Sequence, residues 1–273
     1  MWVLRGLRNG VLTTRWPARP DEYAEATRGP ATVLATVPGG LTGKDVAGLC
    51  PVGAISADPA GRPRVDQGSC ILCGRCVQQR PDVFGWSAGP GGAALTREGL
   101  VVPAQETPDA LAAVTDALRA RTRALRRSVH LRHVDAGSDG TEEWEIMALL
   151  NPVYDIHRLG MFFTASPRHA DILLVTGAGA RGMAASLRET YEAMPSPKVV
   201  IAVGTDAVSG GIVSPSYATS GGVGELVPVD VWLPGSPPSP FAILSALLLA
   251  LGRLPAPAAS QISASTGTTG GPR

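Results

Sequence analysis

Residues 170–204 read ADILLVTGAGARGMAASLRETYEAMPSPKVVIAVG and contain two apolar runs separated by a segment with helical spacing. The runs ADILLVTG (170–177) and KVVIAVG (198–204) are continuously apolar, which is typical of strands buried on both faces of a sheet. MAASLRETYEAM (183–194) lies between them and is predicted to be a helix. A strand, a helix and a strand joined by short links form a right-handed parallel unit. The stretch therefore predicts an α/β domain built on a parallel sheet.

This predicted domain extends over residues 128–253. Its last segment, PFAILSALLLALGR (240–253), predicts a closing helix, and its apolar run is shorter than the ~20 residues that a membrane span needs. Residues 254–273 have too little apolar content to pack into a core, so a disordered tail is predicted there.

A linker helix is predicted ahead of the domain, within residues 104–127. In TPDALAAVTDALRARTRALRR (107–127), Thr107 can cap the helix and Pro108 suits its first position. The five arginines of this segment favour a solvated or partner-facing side over nucleic acid binding. Residues 1–29 are interpreted as an arm with a short amphipathic start.

The charge of the chain excludes some classes of partner. The 273 residues carry a net charge of +1, so no global field recruits nucleic acid or an anionic membrane. The N-terminus lacks the long apolar segment of a signal peptide. A cytosolic, reducing location is therefore expected.

The cysteines have metal-ligand spacing. CILCGRCVQQRP (70–81) places Cys70, Cys73 and Cys76 within seven residues, a spacing that suits a metal better than a disulfide framework. Arg80 stands where the iron–sulfur run C-x-x-C-x-x-C-x-x-x-C-P would have its fourth cysteine. In two-cluster ferredoxins that fourth cysteine ligates the other cluster.

A second, complementary run lies upstream. CPVGAI (50–55) matches the end of such a run, and counting back from Cys50 places the other three positions on Gly40, Gly43 and Val46. The first run lacks its first three cysteines and the second lacks its fourth, and these four positions together would ligate one cluster. One complete ligand set remains, made of Cys50, Cys70, Cys73 and Cys76; the empty set is Gly40, Gly43, Val46 and Arg80. This pattern predicts one [4Fe–4S] cluster and one deleted cluster, with a four-cysteine zinc site and a redox-silent relic as the alternatives.

These residues carry a resemblance. Residues 30–86 resemble bacterial-type 2[4Fe–4S] ferredoxin domains, and we take 30–103 as a small α+β ferredoxin-like domain. The segment GLRNGVLTTRWP of the arm resembles the start of the ferredoxin-like subunits of complex I and of energy-converting, membrane-bound [NiFe]-hydrogenases.

The larger domain carries a second resemblance, over LLNPVYDIHRLGMFFTASPRHADILLVTG (149–177) and onward through GGVGELVPVDVWLPGSPPSP (221–240). It resembles the small subunit of group 4 [NiFe]-hydrogenases and the equivalent subunit of complex I. The resemblance implies a flavodoxin-like domain that holds one [4Fe–4S] cluster facing a large catalytic subunit. The family's cluster cysteines correspond here to Asp139, Glu142, Asp206 and Ser236.

Oxygen side chains are poor ligands for a soft iron–sulfur cluster, so no cluster is expected at these four positions. We favour a hydrogen-bonded polar pocket, with a hard cation such as Mg²⁺ or Ca²⁺ as the alternative.

The remaining motifs are weaker. In TGAGARG (176–182), three glycines form G-x-G-x-x-G between a predicted strand and a predicted helix, which makes NAD(P) binding an alternative. His130 and His133 are interpreted as structural. His169 matches a family position near the interface with the large subunit, where a hydrogen-bonding or proton-handling role and a structural loop role are the alternatives. The neighbouring Arg168 could pair with a carboxylate of a partner.

The sequence therefore predicts an electron-transfer and docking subunit of a hydrogenase-related or complex I-like oxidoreductase, without bond chemistry of its own. Its expected partners are a hydrogenase-like or complex I-like large subunit and membrane subunits, which would hold it at the cytoplasmic side of the membrane. The alternatives are a purely structural assembly subunit and an NAD(P)-binding oxidoreductase.

Overall fold

The computed structural model describes residues 2–104, 107–125, 128–213 and 216–255. The α-helices are α1 (Trp2–Asn9), α2 (Glu22–Glu25), α3 (Gly43–Ala47), α4 (Arg75–Gln79), α5 (Pro108–Thr122), α6 (Thr141–Ala148), α7 (Ala184–Ala193), α8 (Thr205–Ser209) and α9 (Pro240–Ala250). The strands are β1 (Arg28–Val33), β2 (Ile55–Ala57), β3 (Pro63–Asp66), β4 (Phe84–Ala88), β5 (Val101–Val102), β6 (Val129–Asp135), β7 (Met161–Phe163), β8 (Ile172–Thr176), β9 (Val199–Val203) and β10 (Val231–Leu233).

The five strands from β6 to β10 form one parallel sheet in the order β10-β9-β8-β6-β7. Counted within this sheet the order is 2-1-3-4-5, which is the flavodoxin-like order. The predicted α/β fold class is confirmed. We call residues 129–250 the sheet domain.

Both faces of this sheet are covered, which explains its continuous apolar strands. Along β8, Ile172 and Leu174 pack with α9 on one face, whereas Leu173 and Val175 pack with Leu187 of α7 on the other. Side chains alternate between faces along a strand, so a strand covered on both faces must be apolar at every position. The predicted helices at 183–194 and 240–253 are confirmed as α7 and α9.

The cysteines lie in a smaller part of the chain, residues 28–102, which we call the cysteine lobe. Strands β1 and β4 pair antiparallel, and β2, β3 and β5 form a three-stranded antiparallel sheet. Ile55, Val65 and Phe84 contribute to a core that also contains Cys70 and Cys76.

The cysteine lobe and the arm pack closely on the sheet domain. Ala94 and Trp232 exchange two backbone hydrogen bonds, of 2.9 and 2.8 Å, so the chain near residue 94 extends the large sheet. Trp16 of the arm packs edge-on against Phe241 of α9, with ring centroids 5.8 Å apart. The domain boundaries drawn from the sequence stay a prediction.

The linker helix is observed as α5, and the Thr107 hydroxyl accepts the Ala110 N–H at 3.3 Å, as predicted for a cap. Arg126, Arg127 and residues 256–273 of the predicted tail lie outside the described residues. Among the helices of the described ranges, none is both long enough and apolar enough to cross a membrane.

Candidate iron–sulfur site and the carboxylate position beside it

The four cysteines line one cavity in the cysteine lobe. Cys70 and Cys76 are buried, Cys50 is half-buried, Cys73 is exposed, and all four are free thiols. The rest of the lining is mainly apolar and includes Ala31, Leu49, Ala54, Ile55, Val65 and Ile71. The chain therefore places four soft donors beside a mainly apolar lining.

Backbone conformation brings the cysteines of the 70–76 loop to this space. Leu72 has a positive φ of 54°, which turns the chain between Cys70 and Cys73. Gly74 follows with a φ of 73°, and a Cβ there would lie 3.0 Å from the Trp86 ring. A residue other than glycine at position 74 would be strained, so this glycine is required for the turn into α4.

Backbone N–H groups point at the thiols. The Ala54 N–H donates to the Cys50 sulfur over 3.2 Å, and the N–H groups of Ala31 and Leu72 interact with Cys70. Such N–H groups stabilise thiolates and are one of the means by which proteins set the potential of an iron–sulfur cluster.

Without a metal group, the thiols oppose one another's ionisation. Burial raises the pKa of Cys76 to about 11, and the charges of Cys70, Cys50 and Cys73 contribute to the rise. Burial also raises the pKa of Cys70, against the lowering effect of nearby backbone N–H groups. A cationic metal group among the sulfurs would remove this penalty, because a positive charge favours thiolates.

The sequence left two kinds of metal group open for these four thiols. Among the described residues, no three His, Cys, Asp or Glu side chains are placed to hold a single metal ion. A zinc ion requires four thiolates at ~2.3 Å from one point, whereas the cysteines of a [4Fe–4S] cluster bind different iron atoms. The four thiols fit the ligand set of the predicted cluster, which stays a prediction.

Packing closes two of the four empty positions, Gly43 and Val46. Val46 is 1% exposed in the lobe's core, and a Cβ at Gly43 would lie 2.6 Å from the Ser56 carbonyl oxygen. Gly40 has a φ of 82°. Arg80 turns outward and forms two hydrogen bonds to Asp82, of 2.8 and 2.7 Å. These four residues therefore provide no thiol ligands for a second cluster.

The four cysteine-replacing positions of the sheet domain follow the carboxyl ends of β6, β9 and β10. This is the edge at which flavodoxin-like sheets place their ligands. Asp139 and Ser236 lie in loops, whereas Glu142 and Asp206 lie in the first turns of α6 and α8. Glu142 is 1% exposed, and its carboxylate lies so close to Gly204 that a Cβ there would be 2.5 Å from Oε1. Burial raises the pKa of Glu142 to about 7, with further contributions from Asp206 and Asp139.

The other members of this group do not complete a metal site. Burial also raises the pKa of Asp206, with Asp139 contributing. Asp139 is exposed, and its carboxylate accepts hydrogen bonds from the Thr141 N–H (3.0 Å) and hydroxyl (2.7 Å). Ser236 is exposed as well. Oxygen donors that repel one another do not fit an iron–sulfur cluster, so we assign none to this position.

Sequence reasoning missed a hydrogen-bond network at the same edge. The Thr176 hydroxyl donates to the Glu143 carboxylate, and His133 Nε2 lies 2.9 Å from that hydroxyl. Burial lowers the pKa of His133, against the nearby Glu143 charge. His133 is thus a structural member of a network, as predicted, whereas nothing local in the sequence marks its two partners.

The other histidines are placed in contacts with neighbouring side chains or in turns. His130 lies 3.5 Å from Asp171, and His157 stacks on Phe162 with centroids 5.3 Å apart. Arg168 and His169 lie in a 3₁₀ turn before β8.

Two of the three motif glycines in the 176–182 loop, Gly177 and Gly179, pack against protein. A Cβ at Gly177 would lie 2.5 Å from the backbone of residues 137 and 138, and one at Gly179 would lie 2.5 Å from the Gly222 carbonyl oxygen. In a dinucleotide site these glycines would instead allow the backbone to approach the pyrophosphate. The packing disfavours the NAD(P) alternative.

Comparison with known proteins places the sheet domain in a family. Residues 140–250 match the family described as NADH ubiquinone oxidoreductase, 20 Kd subunit. The probable membrane-bound hydrogenase subunit mbhJ of Pyrococcus furiosus is 42% identical over 130 residues, which cover 48% of this chain and 78% of that protein. The chain belongs to this family. The predicted resemblance of the sheet domain to complex I and group 4 hydrogenase subunits is confirmed.

Two further similarities concern the 20 Kd subunit family region. Formate hydrogenlyase subunit 7 of Escherichia coli is 43% identical over 130 residues, 48% of this chain and 51% of that protein, so the chain spans about half of that relative's length. The membrane-bound sulfane sulfur reductase, an archaeal respiratory membrane complex, contains a chain of 29% identity with a TM-score of 0.42, covering 48% of this chain and 75% of that one. The family match does not include the cysteine lobe, whose resemblance to ferredoxins stays a prediction.

Proposed function

We propose that this member of the 20 Kd subunit family is an iron–sulfur electron-transfer and docking subunit of a membrane-bound, hydrogenase-like or complex I-like oxidoreductase. The observation that carries the proposal is the convergence of Cys50, Cys70, Cys73 and Cys76 on one apolar cavity. The names of its relatives, formate hydrogenlyase subunit 7 and a membrane-bound hydrogenase subunit, support the class of complex.

In this proposal the four cysteines hold one [4Fe–4S] cluster, which would accept and release one electron at a time. The apolar lining covers the side of the group next to Cys70 and Cys76, and the Ala54 N–H supports the Cys50 thiolate over 3.2 Å. Cys73 is exposed, so one side of the site stays accessible to an electron donor or acceptor.

Exposed apolar side chains support the docking role. Trp144 and Met147, one helical turn apart on α6, are 77% and 59% exposed. α6 starts directly after the loop of Asp139, so this apolar surface borders the carboxylate position. Contiguous exposed apolar groups mark interaction surfaces. We assign this surface to a large-subunit partner, with attachment to the cytoplasmic side of the membrane through partner subunits.

The first test is the metal content of the full chain. Anaerobic purification should yield about four irons and four sulfides per chain, with an EPR signal on reduction. Asp139→Asn is the matched control, because it alters the carboxylate position and should keep the same iron content. Zinc in place of iron overturns the redox role, and about eight irons would mean that the carboxylate position also holds a cluster.

A second test separates an electron carrier from a structural staple. Cys73 is the exposed member of the set, so Cys73→Ser should disturb the fold least. In the assembled complex this variant should abolish turnover while subunit association is retained. Loss of association together with turnover would instead support the purely structural alternative.

A further inference from the structure

The cysteine lobe and the sheet domain meet at a buried threonine. The Thr205 hydroxyl donates to the carbonyl oxygen of Cys70 over 3.0 Å, although the two residues are 135 positions apart in the chain. The same hydroxyl accepts the Gly235 N–H over 3.3 Å. Thr205 is completely buried, so no water competes for these partners. One hydroxyl therefore joins a cysteine of the proposed cluster site to the loop that carries Ser236.

Neighbouring contacts show that the whole 68–72 loop rests on the sheet domain. A Cβ at Gly68 would lie 2.7 Å from Val208 of α8, so the two segments approach closely there. On the other side of Cys70, Leu72 shares a crevice with Pro234, Gly235, Pro237 and Pro238. The loop that supplies Cys70 is thus held against α8 and the 234–238 loop.

The hydroxyl is not needed to hold the sheet domain together at this point. The Thr205 N–H already donates to the Gly235 carbonyl over 2.6 Å, which joins α8 to the 234–238 loop through backbone alone. The side-chain donor is directed instead at the other lobe. Its chemical effect falls on the peptide group that follows a predicted cluster ligand.

We propose that Thr205 is a positioning residue for the iron–sulfur site, through which the sheet domain controls the orientation of Cys70 and the potential of the cluster. This inference rests on the proposed function. Hydrogen bonds and dipoles around the ligands tune an iron–sulfur cluster. A donor on the Cys70 carbonyl offsets the partial negative charge of that oxygen. Its removal should disfavour the added negative charge of the reduced state and lower the midpoint potential.

The test compares Thr205→Val with Thr205→Ser in the full chain, purified anaerobically. Redox titration and EPR of the reduced state should show a lower midpoint potential and an altered line shape for Thr205→Val, and wild-type behaviour for Thr205→Ser. Thr205→Ala, which also lacks the hydroxyl, provides the same measurement if the valine variant does not fold. Thr122→Val is the control, since Thr122 is a buried threonine whose hydroxyl bonds to Leu118 within its own helix, at 2.9 Å.

Each outcome bears on a distinct claim. A wild-type potential and spectrum in Thr205→Val or Thr205→Ala would overturn the role of Thr205 while leaving the cluster in place. An equal shift in Thr122→Val would overturn it as well, because general destabilisation would then explain the effect. A wild-type chain without an iron–sulfur signal overturns the proposed function itself.

Discussion

Glu142→Gln should stabilise the protein increasingly as the pH rises from about 5 to 8. The carboxyl of Glu142 is 1% exposed, and burial raises its pKa from 4.5 to about 7. Above pH 7 the folded chain must hold a buried carboxylate near Asp206 and Asp139, whereas the unfolded chain hydrates it. Glutamine has the same shape, carries no charge, and keeps an oxygen that can accept the Thr141 hydroxyl.

The sign and size of the effect follow from linkage. A carboxyl whose pKa is raised on folding contributes full stability below its unfolded pKa, and this contribution is lost as pH rises through the folded pKa. A shift from 4.5 to about 7 corresponds to roughly 3 kcal/mol at most above pH 8. Between pH 5.5 and pH 8 the advantage of the glutamine variant should grow by about 1–2 kcal/mol, the lower value allowing for solvent screening.

Urea unfolding of the purified full chain at the two pH values, followed by tryptophan fluorescence, measures this difference. An offset that is equal at both pH values would reflect packing against Gly204 and is not part of the prediction. Asp139→Asn is the matched control, since hydrogen bonds from Thr141 lower the pKa of Asp139. That variant should gain no stability at pH 8. A glutamine variant whose advantage does not grow with pH would refute the assignment of a buried, charge-opposed carboxyl.

Two further predictions concern the 176–182 loop and the exposed surface of α6. Gly177→Ala should lower the free energy of unfolding by at least about 2 kcal/mol, since its φ of 83° is left-handed and a Cβ would lie 2.5 Å from backbone atoms. Gly182→Ala is the control, because a Cβ there has nothing within 4 Å, and it should be nearly neutral in thermal melts. Equal losses in the two variants would contradict the packing explanation of the glycine motif. Trp144→Ser should leave the melting temperature unchanged, because the side chain is 77% exposed, and should reduce co-purification with the large subunit. Tyr23→Ser, at an equally exposed position in α2, should leave co-purification at the wild-type level.

Local patterns were sufficient for the elements of the sheet domain. The apolar runs at 170–177 and 198–204 predicted β8 and β9, because a strand covered on both faces must be apolar at every position. Thr107 and Pro108 marked the start of α5, since capping depends on residues within one turn. The cysteine spacing predicted a cluster ligand set, which stays a prediction, and the structure places these four thiols around one cavity.

Contacts between distant segments were beyond the reach of such patterns. Thr205 looks like an ordinary residue at the start of a helix, and its partner Cys70 lies 135 positions away. The G-x-G-x-x-G motif is the same whether a phosphate or a neighbouring loop packs against Gly177, so the motif alone does not distinguish the two. Glu142 could be recognised as a replaced cysteine, but its burial depends on Gly204, which follows another strand.

The strands, the helix caps and the spacing of the cysteines can therefore be predicted from the sequence alone. Periodicity, capping and ligand spacing depend on a few neighbouring residues. Only the tertiary structure decides three other features. These are the contact of the 68–72 loop with α8, the raised pKa of Glu142, and the segments that pack against the glycines of the 176–182 loop. These properties arise where segments that follow different strands meet at the carboxyl edge of the sheet. Contacts between such distant segments produce no pattern within any one segment, so local sequence does not predict them.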